Sequence, residues 1–148
     1  MAEKIKLLIG RREKVSFLDL QLLGIDAKVD TGAYSNALHC HEIEVRQETG
    51  KLILYFKLLD PSHPEYNEQL FRFEDFTEKQ IKNSFGDLEK RYVIKTRLGI
   101  GPKIVKTSIS LTDRGQMRYP VLIGRKLLKR RFIVDVNEMY LLSRQKKS

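Results

Sequence analysis

The stretch Ala27-Lys28-Val29-Asp30-Thr31-Gly32-Ala33 places one acid on a tight turn, and this feature decides the predicted fold. An apolar run, Leu22 to Ile25, precedes the stretch, and a second apolar run, Ile43 to Val45, follows it. A carboxylate at the end of a strand, where Gly32 lets backbone amides close around it, is how a catalytic acid is presented. Asp and Gly are also favoured in ordinary β-turns, so the tripeptide alone leaves a plain surface turn open.

Another stretch, near the C-terminal end, helps to choose between a catalytic turn and a plain surface turn. Tyr119-Pro120-Val121-Leu122-Ile123-Gly124-Arg125-Lys126-Leu127-Leu128 predicts a short strand that meets Gly-Arg and then an amphipathic turn. The two stretches together resemble the retropepsin-like aspartic peptidases, the single-lobe relatives of pepsin. More closely, Lys28 to His39 with Met117 to Val136 is similar to a family usually labelled "ATP-dependent zinc protease". The resemblance covers most of the chain, from about Leu8 to Leu142.

Composition indicates the class of protein. The 148 residues are 41% hydrophobic and 32% charged, which is typical of a soluble globular chain, and we expect a single domain over residues 1–148. Met1 to Gly10 does not have the pattern of a signal peptide, and no stretch is long enough to span a bilayer. Cys40 is the single cysteine, which excludes an intrachain disulfide, and a cytoplasmic location is the simplest expectation.

The net charge of +9 indicates an anionic partner without naming its class. Such a surface can neutralise the phosphates of a nucleic acid or draw in an acidic peptide substrate. A solvated basic face with a basic tail over residues 143–148 explains the same pattern. The basic residues concentrated near the C-terminal end are Arg125, Lys126, Lys129, Arg130, Arg131, Arg144, Lys146 and Lys147.

Apolar and polar residues alternate with a period of two, which predicts an all-β barrel or sandwich of short strands. The resemblance implies the closed barrel of the acid proteases. Two segments are predicted to be helical: Gly124 to Arg130, as a short C-terminal helix, and Thr77 to Phe85. The predicted strands are Lys4 to Ile9, Val15 to Leu23, Ala27 to Val29, Leu38 to Val45, Leu52 to Leu59, Tyr92 to Leu98, Ile104 to Leu111, Val121 to Ile123 and Phe132 to Val134.

Residues 60–90 interrupt the strand pattern. The segment is polar and mixes acids with Tyr66, Phe71, Phe73 and Phe76. Retropepsins carry a flap between the catalytic strand and the Gly-Arg strand, so the resemblance implies an enlarged flap here. A surface insertion whose aromatic side chains pack on the barrel is an equal alternative. The later run Gly99 to Pro102 predicts a hairpin turn between two strands.

Peptide hydrolysis by carboxylates requires two acids that share one proton around a water molecule. Two carboxyls about 3 Å apart cannot both ionise, so one acts as base and the other as acid; the aspartic peptidases are the standard example of such a pair. This chain has one Asp-Thr-Gly, and Asp113-Arg114-Gly115 lacks the threonine hydroxyl. We therefore predict a two-fold homodimer in which Asp30 of each subunit meets at the axis.

The resemblance implies a role for each residue of the turn. Asp30 would be general base and acid, Thr31 would form a hydrogen bond across the dimer axis, and Gly32 would offer its amide to the carboxylate. The residues expected to contact the substrate are Ala33, Tyr34 and Ser35.

Two later residues would support the site. Gly124 matches the small residue that the family has behind the catalytic turn. Arg125 in retroviral members pairs with an acid four residues beyond the catalytic one, but Tyr34 occupies that position here. Arg125 would then pair with another acid, or the contacts at the dimer interface would differ from those of the retroviral members.

Because the family label mentions zinc, His39 and His41 are considered as candidate metal ligands. Alternate residues on a strand share a face, so this pair is a weak alternative metal site of a zinc-dependent hydrolase, with Glu42 or Glu44 as a third ligand. Two ordinary histidines on a half-exposed strand are the favoured explanation, because the chain has no His-Glu-x-x-His motif. Cys40 is expected to be a small buried hydrophobe, and we predict no metal and no cofactor.

The family label also mentions ATP, but the chain has no Gly-x-x-x-x-Gly-Lys loop of the kind that binds its phosphates. We expect ATP to belong to a partner, because the resembled family is often associated with ATP-grasp ligases that add glutamates to proteins. The substrate is then expected to be a peptide or protein, of acidic character, with no membrane partner. A non-catalytic binding module for acidic peptide or nucleic acid is the remaining alternative.

Overall fold

The computed structural model describes residues 5–82, 85–113 and 119–142, and these residues form the all-β fold that the sequence predicts. None of the helices in these ranges has the length and apolar character needed to cross a bilayer. Two short helical segments accompany the strands, a 3-10 turn at Leu18–Leu20 and the helix α1 at Arg125–Leu128. The described strands are β1 Leu7–Gly10, β2 Arg12–Phe17, β3 Leu22–Val29, β4 Asn36–Glu48, β5 Lys51–Leu58, β6 Leu70–Phe73, β7 Thr77–Lys82, β8 Leu88–Ile100, β9 Lys103–Thr112, β10 Val121–Ile123 and β11 Phe132–Asp135.

Six of these strands pair in a closed cycle, which makes the predicted barrel. The order is β10, β3, β2, β8, β9 and β4, and β4 pairs again with β10. β3 and β10 are parallel, so that Ala27 lies opposite Val121 and Val29 lies opposite Ile123. The parallel pairing brings the C-terminal ends of these two strands to one edge, and both sequence stretches singled out above continue from that edge.

The described residues form two compact units, and the first contains residues 5–36, 96–108 and 119–142. Its core follows the period-two alternation that defines a half-buried strand. In β2 the side chains of Glu13, Val15 and Phe17 are buried, while Lys14 is exposed. β1 and β11 add a separate parallel pair to this unit.

A tight turn between β2 and β3 corrects one predicted strand. β2 ends at Phe17, and the chain then forms the Leu18–Leu20 turn before β3 begins at Leu22. The single strand expected over Val15 to Leu23 is therefore wrong. Asp19 stabilises the turn, because its carboxylate accepts hydrogen bonds from the amide and the Nε of Arg97 at 2.8 and 2.9 Å.

The second unit contains residues 37–82, 85–95 and 109–113. Within it β7 and β8 form an antiparallel hairpin, from Thr77 opposite Val93 to Lys82 opposite Leu88. The helix predicted over Thr77 to Phe85 is therefore wrong for the strand residues; residues 83 and 84 lie outside the described ranges. Pairing with β8 satisfies the backbone polar groups of β7, and this partner outweighs a weak local helix signal.

The aromatic residues of the 60–90 segment pack on strands of the second unit. Phe71 and Phe73 lie against the buried ring of Phe56, with ring centroids 5.6 and 5.5 Å apart. Phe76 meets Tyr92 edge to face at 5.9 Å. The segment therefore contains two strands, β6 and β7, whose aromatic side chains pack on their neighbours. It is not one long irregular loop. Elsewhere, the hairpin turn predicted at Gly99 to Pro102 is confirmed, since β8 ends at Ile100 and β9 begins at Lys103.

Candidate active site

Asp30 lies directly after β3, at the edge where β3 and β10 end together. Its amide donates to the carbonyl oxygen of Ile123 at 2.8 Å, so the turn begins as a continuation of the strand pairing. The amide of Ala33 donates to the carbonyl oxygen of Asp30 at 3.2 Å and closes the turn. The amide of Gly32 donates to Oδ1 of Asp30 at 3.0 Å. The backbone of the turn thus fixes the orientation of this carboxylate.

The turn is presented to solvent. Asp30 and Ala33 are half-buried, and the remaining residues of the turn are exposed: Thr31, Gly32, Tyr34 and Ser35. A Cβ atom on Gly32 would lie 3.3 Å from Oδ1 of Asp30, which is a tight contact. A glycine at this position therefore leaves room around the carboxylate as well as supplying its amide.

Gly124 lies against the main chain of the residues that follow Asp30. A Cβ atom at this position would lie 2.6 Å from the carbonyl oxygens of Tyr34 and Ser35, so only glycine fits here without a shift of the backbone. The next two amides, of Arg125 and Lys126, donate to the carbonyl oxygens of Ala33 and Tyr34 at 2.9 Å each. The first amides of α1, which have no partner within the helix, are thereby satisfied by the turn.

Arg125 contacts the turn through its side chain as well. Nη1 of Arg125 donates to the carbonyl oxygen of Thr31 at 2.9 Å. The guanidinium lies 5.8 Å from the ring centroid of Tyr34, and the ammonium of Lys129 lies 5.5 Å from the same centroid. Among the residues that the structure describes, the side chain of Arg125 therefore contacts a main-chain oxygen and an aromatic ring.

Asn36 is a residue of this site that the sequence patterns missed. It is 1% exposed, and its Oδ1 accepts a hydrogen bond from the amide of Gly124 at 2.9 Å. Its Nδ2 donates to Oγ1 of Thr107 at 3.2 Å and to the carbonyl oxygen of Ser108 at 3.3 Å. The only available signal was a polar residue at the head of the apolar run Ala37-Leu38, shortly after the turn.

The other acidic tripeptide falls largely outside the described residues. Asp113 is exposed and follows directly on β9. Arg114 and Gly115 are not among the described residues.

His39, the first candidate metal ligand, is buried and uses both ring nitrogens within the second unit. Nδ1 lies 3.2 Å from the carbonyl oxygen of Thr112, and Nε2 lies 2.6 Å from Oδ2 of Asp60. Asp60 also accepts hydrogen bonds from the amide and hydroxyl of Ser62. The Ser62 hydrogen bonds, aided by His39, lower the pKa of Asp60 to about 2. This arrangement is a structural network with no free ligand atom on His39.

His41 and His63 do not complete a metal site with His39. Nε2 of His41 lies 3.6 Å from Oε1 of Glu42, and its ring meets Tyr66 edge to face. Nδ1 of His63 accepts the amide of Glu65 at 3.0 Å. Across the described ranges, no group of three or more His, Cys, Asp or Glu side chains is arranged to hold a metal ion.

Cys40, between the two histidines on β4, has the environment of a core residue. Its side chain is fully buried, and this burial, together with the charge of Asp113, raises the pKa of the thiol well above its usual value. A neutral, inaccessible thiol is a poor nucleophile and a poor metal ligand.

Four basic side chains line a surface cavity of about 460 Å³ beside α1: Lys126, Lys129, Arg130 and Arg131. Between residues that the structure describes, none of the ion pairs involves these four. Lys129 lies both at this basic cavity and near the turn, because its ammonium also faces the ring of Tyr34. The C-terminal tail expected over residues 143–148 lies outside the described residues.

Curated proteins similar to this chain align with nearly its whole length. A protein named "Probable alpha-L-glutamate ligase" from Shewanella halifaxensis is 32% identical over 144 residues, which are 95% of this chain and 31% of that protein. A protein of the same name from Desulfotalea psychrophila is 31% identical over 131 residues, which are 88% of this chain and 28% of that protein. The chain thus spans about a third of the length of these curated relatives.

A solved structure and a family model each match nearly the whole length of this chain. The crystal structure of a Legionella pneumophila protein of unknown function superposes with a TM-score of 0.71 at 26% identity, covering 93% of this chain and 99% of that one. The family model described as "Retropepsin-like aspartic endopeptidase RimB" matches residues 8–145. The chain belongs to this RimB-like family of retropepsin-like aspartic endopeptidases.

Proposed function

We propose that the chain is an aspartic peptidase that works as a two-fold homodimer, with one Asp30 carboxyl from each subunit at the shared site. The observation that carries the proposal is the Asp30 turn, whose carboxylate is oriented by the amide of Gly32 and backed by Gly124. Membership of the retropepsin-like family supports the same activity. The chain has one Asp-Thr-Gly, so a second copy must supply the second carboxyl.

In the proposed reaction the two carboxyls hold one water molecule and one shared proton. The charged carboxylate takes a proton from the water as the water oxygen bonds to the carbonyl carbon of the substrate. The protonated carboxyl gives its proton to the carbonyl oxygen, and a tetrahedral diol forms. As the diol collapses, the carboxyl that took the water proton gives it to the amide nitrogen, the C–N bond breaks, and the other carboxylate takes a proton from a hydroxyl of the diol.

The neighbours of Asp30 have supporting roles in this proposal. Thr31 forms a hydrogen bond across the dimer axis and keeps the two turns in register. Ala33, Tyr34 and Ser35 contact the substrate, which their exposed or half-exposed positions allow. Arg125 restrains the turn through the carbonyl oxygen of Thr31.

The proposed substrate is a peptide rich in glutamate. The basic cavity beside α1 supports an acidic substrate, because its four cationic side chains have no ion-pair partner among the described acids and Lys129 extends to Tyr34 of the turn. The name of the curated relatives, probable alpha-L-glutamate ligase, supports glutamate as the acidic residue. We propose that the enzyme acts on glutamate chains of the kind that an ATP-grasp glutamate ligase builds.

The test compares Asp30→Asn with wild type on oligo-glutamate peptides and on a mixed peptide library. The variant is expected to lose at least about a thousandfold in kcat while it stays folded and dimeric by sedimentation, because the substitution removes the shared proton without changing the shape of the side chain. Asp75→Asn makes the same chemical change at an exposed position and is the matched control. Cleavage by Asp30→Asn at the wild-type rate, or by a protein that is monomeric at assay concentration, would exclude the mechanism.

A further inference from the structure

The side chain of Asn36 is a buried amide with every polar group engaged. A buried carboxamide must find an acceptor for its N–H groups and a donor for its oxygen, because an unpaired polar group in the interior is costly. Asn36 meets this requirement with one donor, the amide of Gly124, and two acceptors, Oγ1 of Thr107 and the carbonyl oxygen of Ser108. The amide of Gly124 can only donate and the carbonyl of Ser108 can only accept, so the orientation of the carboxamide is determined.

The hydrogen bond to Gly124 belongs to a series of three. The consecutive amides of Gly124, Arg125 and Lys126 donate to Oδ1 of Asn36 and to the carbonyl oxygens of Ala33 and Tyr34. Two of these acceptors are main-chain atoms that any sequence would supply. Asn36 provides the third from its side chain, and its Nδ2 anchors the series to β9.

We infer that Asn36 is a positioning residue of the proposed peptidase site, which holds the turn that follows Asp30 at a fixed place between β9 and the start of α1. The activity part of this inference rests on the proposed function, and the hydrogen-bond part does not. Without the carboxamide, the amide of Gly124 and the carbonyl of Ser108 would both lose a partner in a buried place. A shift of the turn would then move Asp30 relative to its counterpart, and a misplacement of about 1 Å is enough to slow such a reaction.

The variant that tests the inference is Asn36→Asp, because its hydrogen-bonding capacity depends on pH. A neutral carboxyl can accept from the amide of Gly124 and donate to the carbonyl of Ser108, as the carboxamide does, whereas the carboxylate has no donor. We expect kcat of the variant to be about tenfold or more below wild type near neutral pH, with KM little changed. The ratio of variant to wild-type kcat is expected to rise as the pH falls, because the carboxyl that replaces the carboxamide becomes neutral and regains a donor.

The control is Asn67→Asp, the same substitution at an exposed position, for which the ratio should be independent of pH. A ratio for Asn36→Asp that equals one throughout, or that is reduced but flat with pH, would overturn the inference. If Asn36→Asp does not fold, Thr107→Val removes one acceptor of the carboxamide and is expected to lower kcat about twofold to fivefold. An unchanged kcat in Thr107→Val would count against the inference.

A second readout requires no peptidase activity. The backbone amide of Gly124 is followed by ¹H–¹⁵N NMR in Asn36→Asp across the same pH range, and its resonance should approach the wild-type position as the carboxyl becomes neutral. If wild type cleaves no peptide, the proposed function fails while this resonance still decides the role of Asn36. A Gly124 resonance that is the same in both proteins at every pH would show that the carboxamide does not hold the turn.

Discussion

Arg125 donates a hydrogen bond from Nη1 to the carbonyl oxygen of Thr31 at 2.9 Å, where the retropepsin pattern led us to expect an acidic partner. The position of that acid is occupied by Tyr34, whose ring centroid lies 5.8 Å from the guanidinium. The arginine therefore contacts the turn through a main-chain oxygen and an aromatic face instead of a carboxylate. The link from the Gly-Arg stretch to the Asp-Thr-Gly stretch is kept, but its chemistry differs.

Replacement of Arg125 by lysine tests whether this link matters for activity. Lysine keeps the charge but lacks the planar donor that reaches the carbonyl of Thr31. We expect kcat/KM to fall about tenfold, whereas the free energy of unfolding should fall by about 1 kcal/mol or less, because the side chain is exposed. Arg46→Lys, at an exposed arginine of β4, is the control for the general effect of this exchange. Equal activity of the two variants would argue against a role for Arg125 at the turn.

Gly124→Ala should be strongly destabilising. The new Cβ atom would lie 2.6 Å from the carbonyl oxygens of Tyr34 and Ser35, and main-chain atoms cannot move away as a flexible side chain can. We expect a loss of about 2 to 4 kcal/mol in the free energy of unfolding, measured by urea denaturation. Gly99→Ala is the matched control, since its Cβ would have no neighbour nearer than 3.9 Å. Similar unfolding curves for the two variants would contradict the close approach at Gly124.

Local patterns were sufficient to predict an all-β barrel or sandwich and to locate the Asp30 turn, whereas the closed barrel was implied by the family resemblance. Period-two alternation marks strands whose faces differ in burial, as in β2, and this signal lies within a few residues of sequence. The Asp30 turn was also recognisable, because a strand followed by Asp-Thr-Gly is a local feature. That it lies beside Gly124 came from the resemblance, and the parallel pairing of β3 with β10 is its structural cause.

Features that depend on a distant partner were missed. β7 carries a local helix signal, and only its pairing with β8 makes it a strand. The strand expected over Val15 to Leu23 is interrupted by a turn that Asp19 stabilises through Arg97, a residue far along the chain. Asn36 was overlooked for the same reason, since its three hydrogen-bond partners lie on residues 107, 108 and 124.

Asp60→Asn should destabilise the protein at neutral pH but not at strongly acidic pH. The pKa of Asp60 is lowered from 3.8 to about 2, so its stabilising contribution is present above the unfolded-state value and is lost as the pH falls through about 2. The shift corresponds to at most about 2 kcal/mol where the carboxylate is charged, and solvent screening of this partly exposed group reduces the contribution. Thermal or urea unfolding of the variant and wild type should therefore differ near pH 6 and converge toward pH 2.

Asp75→Asn, at an exposed acid of the same unit, is the control for that experiment and is expected to leave the unfolding curve unchanged at both pH values. A constant difference between Asp60→Asn and wild type over the whole pH range would show that the carboxylate charge is not the stabilising element.

Treatment with a chelator should leave the proposed peptidase activity unchanged. Both ring nitrogens of His39 already contact acceptors, at 3.2 Å and 2.6 Å, and the described residues contain no cluster that could hold a metal ion. A carboxyl pair also needs no metal to activate water. The measurement is kcat/KM before and after dialysis against EDTA, with metal content determined by mass spectrometry. Loss of activity that is restored by zinc would instead favour the alternative at His39 and His41.

Reversal of the charge at Lys129 should weaken binding of an acidic substrate without slowing its hydrolysis. Lys129 lines the basic cavity and faces Tyr34 of the turn, so a glutamate there would repel the substrate carboxylates that the cavity is proposed to attract. For Lys129→Glu we expect KM for an oligo-glutamate peptide to rise about tenfold at low salt, with a smaller effect at high salt, because ions screen exposed charges. The same charge reversal at Lys106, an exposed residue of β9, is the control for the change in net charge. If both reversals raise KM equally, the overall charge of the protein attracts the substrate, and the cavity beside α1 has no special part in recognition.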